Sequence, residues 1–164
     1  MRRVCLFLAA LIGLSACSET ENIIRYEGPQ VTKIEVFKEQ RQMRLLHADQ
    51  VLKEYEIELG FLSSGHKQFE GDGRTPEGRY SINRRNPKSN FHFSLGISYP
   101  NARDMSYAVA RGKDPGGDIF IHGQPRSRLR RVEDWTEGCI ALTNEEIREV
   151  YSMVPNGTLI DIFP

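Results

Sequence analysis

The chain has 164 residues, 27% of them charged, with 22 Lys and Arg against 22 Asp and Glu. That length suits one domain with its own core rather than two, and the balanced charge lacks the basic excess that a nucleic-acid partner would need. The three cysteines and four histidines contain no close ligand pair of the C-x-x-C or H-x-x-x-H kind, so neither a metal nor a cofactor is implied.

Met1-Arg2-Arg3 is a short basic region, and residues 4–14 are an apolar run too short to span a bilayer, together the pattern of a secretory signal. Ser15 and Ala16 supply small residues before Cys17, and Leu14-Ser15-Ala16-Cys17 resembles a bacterial lipobox. The resemblance implies cleavage after residue 16 and lipidation of Cys17; an ordinary signal peptide with Cys next in line is the alternative. Ser18, in place of Asp, points by the same resemblance to a lipid anchor on the inner face of the outer membrane, facing the periplasm. Losing Arg2 and Arg3 leaves 20 basic and 22 acidic residues, a formal charge of −2. Residues 17–31 are mostly polar with a Gly28-Pro29 break and read as a tether; residues 32–164 are the domain.

From Thr32 the pattern alternates as a strand, with Ile34 and Val36 on one face and a turn at Arg41-Gln42. Residues 42–46 and 51–59 continue an antiparallel meander, Val51, Tyr55, Ile57 and Leu59 sharing a face with Leu52 as the exception. Gly71-Asp72-Gly73 is a tight turn, Thr75-Pro76 an extended approach, and residues 78–82 a strand. A polar loop at 83–90 leads to a strand at 91–97. Asn101 caps a short helix over 102–112 that Gly112 stops. Pro115-Gly116-Gly117 turns into the strand Ile119-Phe120-Ile121, which ends on His122. After Cys139, Thr143-Asn144-Glu145-Glu146 has capping-box spacing for a helix closing near Met153, and residues 158–163 alternate as a last strand. The fold expected is mainly β, about seven strands with one or two short helices in a single domain.

Cys5 leaves with the signal and Cys17 would be lipidated, so Cys139 is the one free thiol. A lone thiol in an exported protein is either inert in the core or reactive. An apolar run ends on His122 and another begins on Cys139, so two strand ends could bring imidazole and thiol together as base and nucleophile. A thiol with an ordinary pKa of about 8.5 is mostly protonated at neutral pH, and a neighbouring imidazole can take its proton. The amides of Gly138 and Cys139 could donate to an oxyanion, which would suit acyl transfer through a thioester. A buried thiol and a satisfied core histidine fit the same residues as well.

Ile121-His122-Gly123 and Thr136-x-Gly138-Cys139-Ile140, preceded by the segment G-D-G-R-T-P-E-G-R-Y, resemble the L,D-transpeptidase (YkuD-type) catalytic-domain family, and within it short periplasmic members carrying G-C-I-A. The resemblance covers about residues 32–163. It implies a β-rich, L,D-transpeptidase-like sandwich or barrel with Cys139 as nucleophile, His122 as base and the Gly123 carbonyl as its orienter. It also implies peptidoglycan stem peptides as substrates, cut after the L-centre of the third residue, with the acyl group passed to an amine. Alternatives within reach are a hydrolase using the same Cys139 on a stem peptide or on a lipoprotein–peptidoglycan link, and a non-catalytic peptidoglycan-binding lipoprotein. Two positions depart from the usual motif: Glu137 stands where many members have His, and Ala141 where many have Arg. Glu137 would oppose the thiolate if close, or face solvent, or orient His122. Arg126, Arg128, Arg130 and Arg131 are candidates to bind a stem-peptide carboxylate, with a solvated loop as the other reading. Trp135 reads as packing or a substrate wall, His92 as a second polar group in the cleft or a structural histidine, and Asp72 and Asp118 as turn residues.

Overall fold

The computed structural model describes residues 24–125 and 133–164. The expected signal peptide, Cys17, Arg126, Arg128, Arg130 and Arg131 lie outside the described residues. Among those described, eight strands and two helices follow in chain order, and no helix is long and apolar enough to cross a membrane.

β1 (Lys33–Phe37), β2 (Gln42–His47) and β3 (Gln50–Glu56) form the antiparallel meander that the alternation predicts. Val31, the last residue of the expected tether, is already 1% exposed, so packing begins one residue before the expected start of the domain. The β2–β3 ladder shifts register between Leu45 and Leu46, where Leu45 faces Lys53 and Leu46 faces Val51. A bulge adds a residue and resets which side chains face the core. Leu52 therefore packs against the core while Val51 is 46% exposed, the reverse of the expected face.

The chain's last strand, β8 (Leu159–Phe163), lies in the middle of the sheet, parallel to β1 and antiparallel to β4 (Gly78–Ser89). Covered on both sides, it buries Ile160, Asp161 and Ile162 in succession, and the two Asp161 oxygens accept from Arg79 at 2.7 and 2.8 Å. β4 is much longer than its alternation suggests. The polar residues expected as a loop pair instead with β5 (His92–Ile97), from Ile82 opposite Ile97 to Ser89 opposite His92. Backbone pairing on an exposed rim needs no apolar pattern, which is why this half of β4 reads as loop.

The strand order is β3-β2-β1-β8-β4-β5-β6-β7, with β6 (Phe120–His122) antiparallel to β5 and β7 (Ile140–Ala141) parallel to β6. The curled sheet nearly closes on itself. Glu58 and Ala141 exchange backbone bonds of 3.0 and 2.8 Å, Phe61 N–H donates to Thr136 O, and Thr136 N–H to Leu59 O. The segment carrying Cys139 is thus stitched between β6 and the chain leaving β3. α1 (Ala102–Val109) starts at Asn101, whose side chain accepts from Arg103 and Asp104 N–H while Asp104 reaches back, and it ends three residues before Gly112. α2 (Asn144–Met153) has the predicted Thr143/Glu146 capping box and lays Ile147, Val150 and Tyr151 on the core beside β5.

Candidate active site

The parallel pairing of β6 with β7 sets Ile121 beside Ile140 and His122 beside Ala141. Both isoleucines are fully buried, which pins the two strands at this register. Cys139 directly precedes β7 and so stands next to Phe120, whose N–H points at Sγ at 3.4 Å. The thiol itself donates toward the Asp118 carbonyl at 3.7 Å. Cys139 and His122 line one cavity of about 640 Å³, together with Lys67, Glu70, Phe91, Trp135 and Glu137 among others.

The His122 ring is aimed by its own backbone neighbourhood. Its Nδ1 lies 2.7 Å from the Gly123 carbonyl. A carbonyl only accepts, so Nδ1 carries the proton and the neutral ring leaves Nε2 bare. That carbonyl is itself held: Gly123 N–H donates to Phe91 O, and Gln124 N–H to Asn144 Oδ1. A side chain at 123 would meet Asn144 Oδ1 at 2.7 Å and Ile147 Cγ2 at 2.9 Å, so the peptide can sit here only as glycine. Phe91 tilts against the imidazole at 4.7 Å between centroids, and Trp135 meets it edge-on at 5.7 Å. Burial in this aromatic bracket holds the imidazole below its ordinary pKa, against the opposing pull of the Gly123 bond. Trp135 therefore serves both as packing on His122 and as cavity wall.

Cys139 hangs from a tight turn organised by Thr136. The Thr136 hydroxyl accepts from Gly138 N–H at 3.2 Å and donates to the Cys139 carbonyl at 2.8 Å. Gly138 has φ +126°, and a Cβ there would lie 2.5 Å from Arg74 O. Its N–H is engaged, so an oxyanion role for it would require the Thr136 bond to be given up. Burial pushes the Cys139 thiol up to about 11; the Phe120 N–H and the Lys67 charge pull it back, while Asp118 and Glu137 raise it further. Glu137 is exposed on the cavity rim. With Nδ1 of His122 on Gly123, orienting the imidazole is not left to Glu137.

His92, the other histidine considered for the cleft, is not among the residues lining the cavity. It has φ +72° at the turn between β4 and β5, and its Nε2 accepts from Arg148 of α2 at 3.1 Å. Asp72 and Asp118 occupy turns, as expected. The Asp72 carboxylate collects Gln68, Phe69 and Arg74 N–H, and Asp118 pairs with Arg84 at the surface. Lys67 is the residue that alternation and motif spacing miss. Its side chain is 3% exposed, bonded to Phe69 O and Asp72 Oδ1 at 3.0 Å each. The one hint in the sequence is that the Asp72 turn needs a cation. A second cavity of about 630 Å³ near β7 is lined by Glu58, Gln124, Asp134 and Ala141 but by neither Cys139 nor His122. Among the described residues, no group of three or more His, Cys, Asp or Glu is arranged to hold a metal ion.

A fold of this kind, with a cysteine and a backbone-oriented histidine on one cavity wall, can be compared with known proteins. The family described as the L,D-transpeptidase catalytic domain (YkuD) matches residues 32–162. YafK of Escherichia coli strain K12, provisionally named an L,D-transpeptidase, is 30% identical over 98% of this chain and 66% of its own length. The helical cell shape determining protein Pgp2 of Campylobacter jejuni, in its K307A form, superposes with a TM-score of 0.65 at 28% identity, over 84% of this chain and 48% of that one. An L,D-transpeptidase of Mycobacterium smegmatis shares the fold at a TM-score of 0.55 and 14% identity, over 84% of this chain and 60% of its own. The chain belongs to the L,D-transpeptidase (YkuD) catalytic-domain family. It spans just under two thirds of the E. coli relative and about half of the C. jejuni chain.

Proposed function

We propose that this chain is a periplasm-facing cysteine acyltransferase that works on peptidoglycan stem peptides through a thioester on Cys139. One observation carries the reading: the Gly123 carbonyl fixes the His122 proton on Nδ1, which leaves Nε2 as the basic nitrogen of a ring that lines the same cavity as Cys139. Family membership and the transpeptidase and cell-shape names of the relatives support it.

With the thiol near 11 and the imidazole below its ordinary 6.5, the resting pair is neutral. Forming the thiolate–imidazolium pair in advance is unfavourable, since burial opposes the charge on both groups. The proton therefore moves only as the bond forms. Sγ attacks the carbonyl carbon of the third stem residue and its proton passes to His122 Nε2. The carbon–nitrogen bond then breaks, and the imidazolium protonates the departing amine of the fourth residue. An acceptor amine gives up its proton to Nε2 as it attacks the thioester, and Cys139 is released as the thiol. Water in place of the amine makes the same site a hydrolase. The Cys139 amide is the oxyanion donor that needs no rearrangement, with Gly138 joining it only if Thr136 turns away. Cys17 as a lipid anchor would hold the domain beside its polymer, with a peptidoglycan-linked lipoprotein as one further candidate partner.

Intact-mass analysis of residues 18–164 after incubation with a carbapenem should give a covalent adduct that disappears in Cys139→Ala. No adduct, with retention on isolated sacculi, would replace the enzyme by a binding module. New 3→3 cross-links on overexpression identify transfer, whereas loss of lipoprotein-bound stems identifies hydrolysis. Cys17→Ser should leave the protein soluble in the periplasm, and unchanged membrane fractionation would remove the lipid anchor.

A further inference from the structure

The His122 imidazole is bracketed by Phe91 and Trp135, and the two brackets are held differently. Phe91 is tied to the histidine's own strand, its carbonyl accepting from Gly123 N–H at 2.9 Å. Trp135 is the single tryptophan of the chain, and its buried indole Nε1 finds no hydrogen-bond partner among the described residues. The ring's place depends on its ring contacts and on the residues either side of it. On one side Thr136 joins the backbone ladder, its N–H donating to Leu59 O at 3.1 Å and its carbonyl accepting from Phe61 N–H at 2.9 Å. On the other side a side chain continues the ladder: Asp134 Oδ1 accepts from Leu59 N–H at 3.0 Å.

Asp134 is in turn held from the turn between β1 and β2. The Arg41 guanidinium grips both carboxylate oxygens, with Nε 3.0 Å from Oδ1 and Nη2 donating to Oδ2. Its Nη1 donates to Lys38 O, while Arg41 O accepts from Ile57 N–H at 2.9 Å. A planar fork matched to a carboxylate fixes direction as well as distance. Both residues have left-handed backbones, φ +53° at Arg41 and +51° at Asp134. Residues other than glycine are uncommon there and need the surrounding structure to hold them. Arg41 is not among the residues lining the Cys139 cavity. Its route to the chemistry runs through Asp134 and Trp135.

We propose that Arg41 and Asp134 form a clasp that positions the general base: the ion pair sets residues 134–136 against 59–61 and so keeps Trp135 packed on the His122 ring. Neither touches substrate; both are positioning residues, and the proposal rests on the acyltransfer reading above. Two consequences separate this role from that of a merely structural ion pair. A released Trp135 lets the imidazole leave the orientation that Gly123 O gives it, which slows proton transfer. It also admits water. Burial is what holds the His122 pKa down, so the imidazolium, which cannot act as a base, then forms at higher pH. The other groups on the cavity wall that carry or can take a charge, Lys67, Glu70, Asp118, Glu137 and Cys139, are left as they were.

The test follows carbapenem acylation of the purified full chain by intact mass, with Trp135 emission read on the same samples. Arg41→Met should slow acylation at saturating carbapenem about tenfold or more, the scale for a slightly misplaced catalytic group, with the half-saturating concentration little changed. The falling limb of its pH profile should move to higher pH, and its emission to longer wavelength with stronger acrylamide quenching. Asp134→Asn should do the same. Asn tolerates the positive φ and keeps an acceptor for Leu59 N–H, so it tests the ion pair even where Arg41→Met fails to fold. The double variant should acylate no more slowly than the slower single one, because each change alone already opens the clasp. Variants that melt earlier yet keep the wild-type rate, limb and emission overturn the proposal, the pair then being merely structural. So do slower rates with limb and emission unchanged, which take Trp135 out of the path, and losses that add in the double variant. If wild type takes no carbapenem, the acyltransfer reading falls and the positioning role with it; a wild type that acylates, beside variants with unmoved emission, refutes the clasp alone.

Discussion

Replacing Thr136 by Val removes one hydroxyl with almost no change of shape, and it should disable the turn that carries the nucleophile. Thr136 is 3% exposed, and its hydroxyl both accepts from Gly138 N–H at 3.2 Å and donates to Cys139 O at 2.8 Å. The variant strands a buried donor and an acceptor at once. Each unsatisfied buried group costs about 1–3 kcal/mol, so about 2–4 kcal/mol is expected for the pair, the Cys139 carbonyl being the less enclosed. For a domain of this size that lowers Tm by roughly 10 °C, readable by circular dichroism. Below that temperature the folded variant should acylate with a carbapenem on the order of a hundredfold more slowly, because a small misplacement of a nucleophile is costly. Thr136→Ser, which keeps the hydroxyl, should stay within about 1 kcal/mol of wild type. A Val variant that melts with wild type and acylates at its rate would refute the idea that this hydroxyl organises the turn.

Iodoacetamide should alkylate Cys139 a few hundredfold more slowly at pH 7 than it alkylates a free cysteine peptide, since a thiol near 11 holds that much less thiolate than one near 8.5; a rate that saturates by pH 8 would show a preformed thiolate. Carbapenem acylation needs His122 neutral, and burial lowers its pKa, so the rate should stay level down to about pH 6.5 and fall only below it. Lys38 is 2% exposed and bonded to Gly65 O, Thr75 O and Glu77, so Lys38→Met should cost about 3–5 kcal/mol in urea unfolding, and a loss under 1 kcal/mol would contradict the buried pairing. Despite burial that opposes it, the N–H groups of Gln68, Phe69 and Arg74 and the ammonium of Lys67 hold the Asp72 carboxyl below its usual pKa. Its contribution is present above the unfolded value near 4 and lost as pH falls. Asp72→Asn should therefore be less stable at pH 7 yet lose less between pH 5 and pH 3 than wild type, and equal losses would argue against the linkage.

Much of the fold was legible because burial on one face leaves a periodic mark. The alternation of Ile34 with Val36 and the Thr143/Glu146 capping box both correspond to elements at those positions. Where the reading failed, a partner distant in sequence had changed the rule. The polar residues of β4 are strand because β5 lies beside them, and Val51 is exposed because a bulge against Leu45 and Leu46 reset the face. His92 is drawn to Arg148 by the turn between β4 and β5 and by α2, neither of which its own neighbours disclose.

The same division runs through the candidate site. From the sequence alone came the candidate thiol of Cys139, the histidine followed by glycine and the family they resemble, because these depend on residue type and spacing along the chain. Only the tertiary structure could say that the Gly123 carbonyl takes the His122 Nδ1 proton, that Thr136 occupies the Gly138 amide, and that Lys67 is buried in the wall of the cavity. Each of those is a hydrogen bond or a burial set by strand register and turn packing, and a linear chain does not specify them until its sheet has closed.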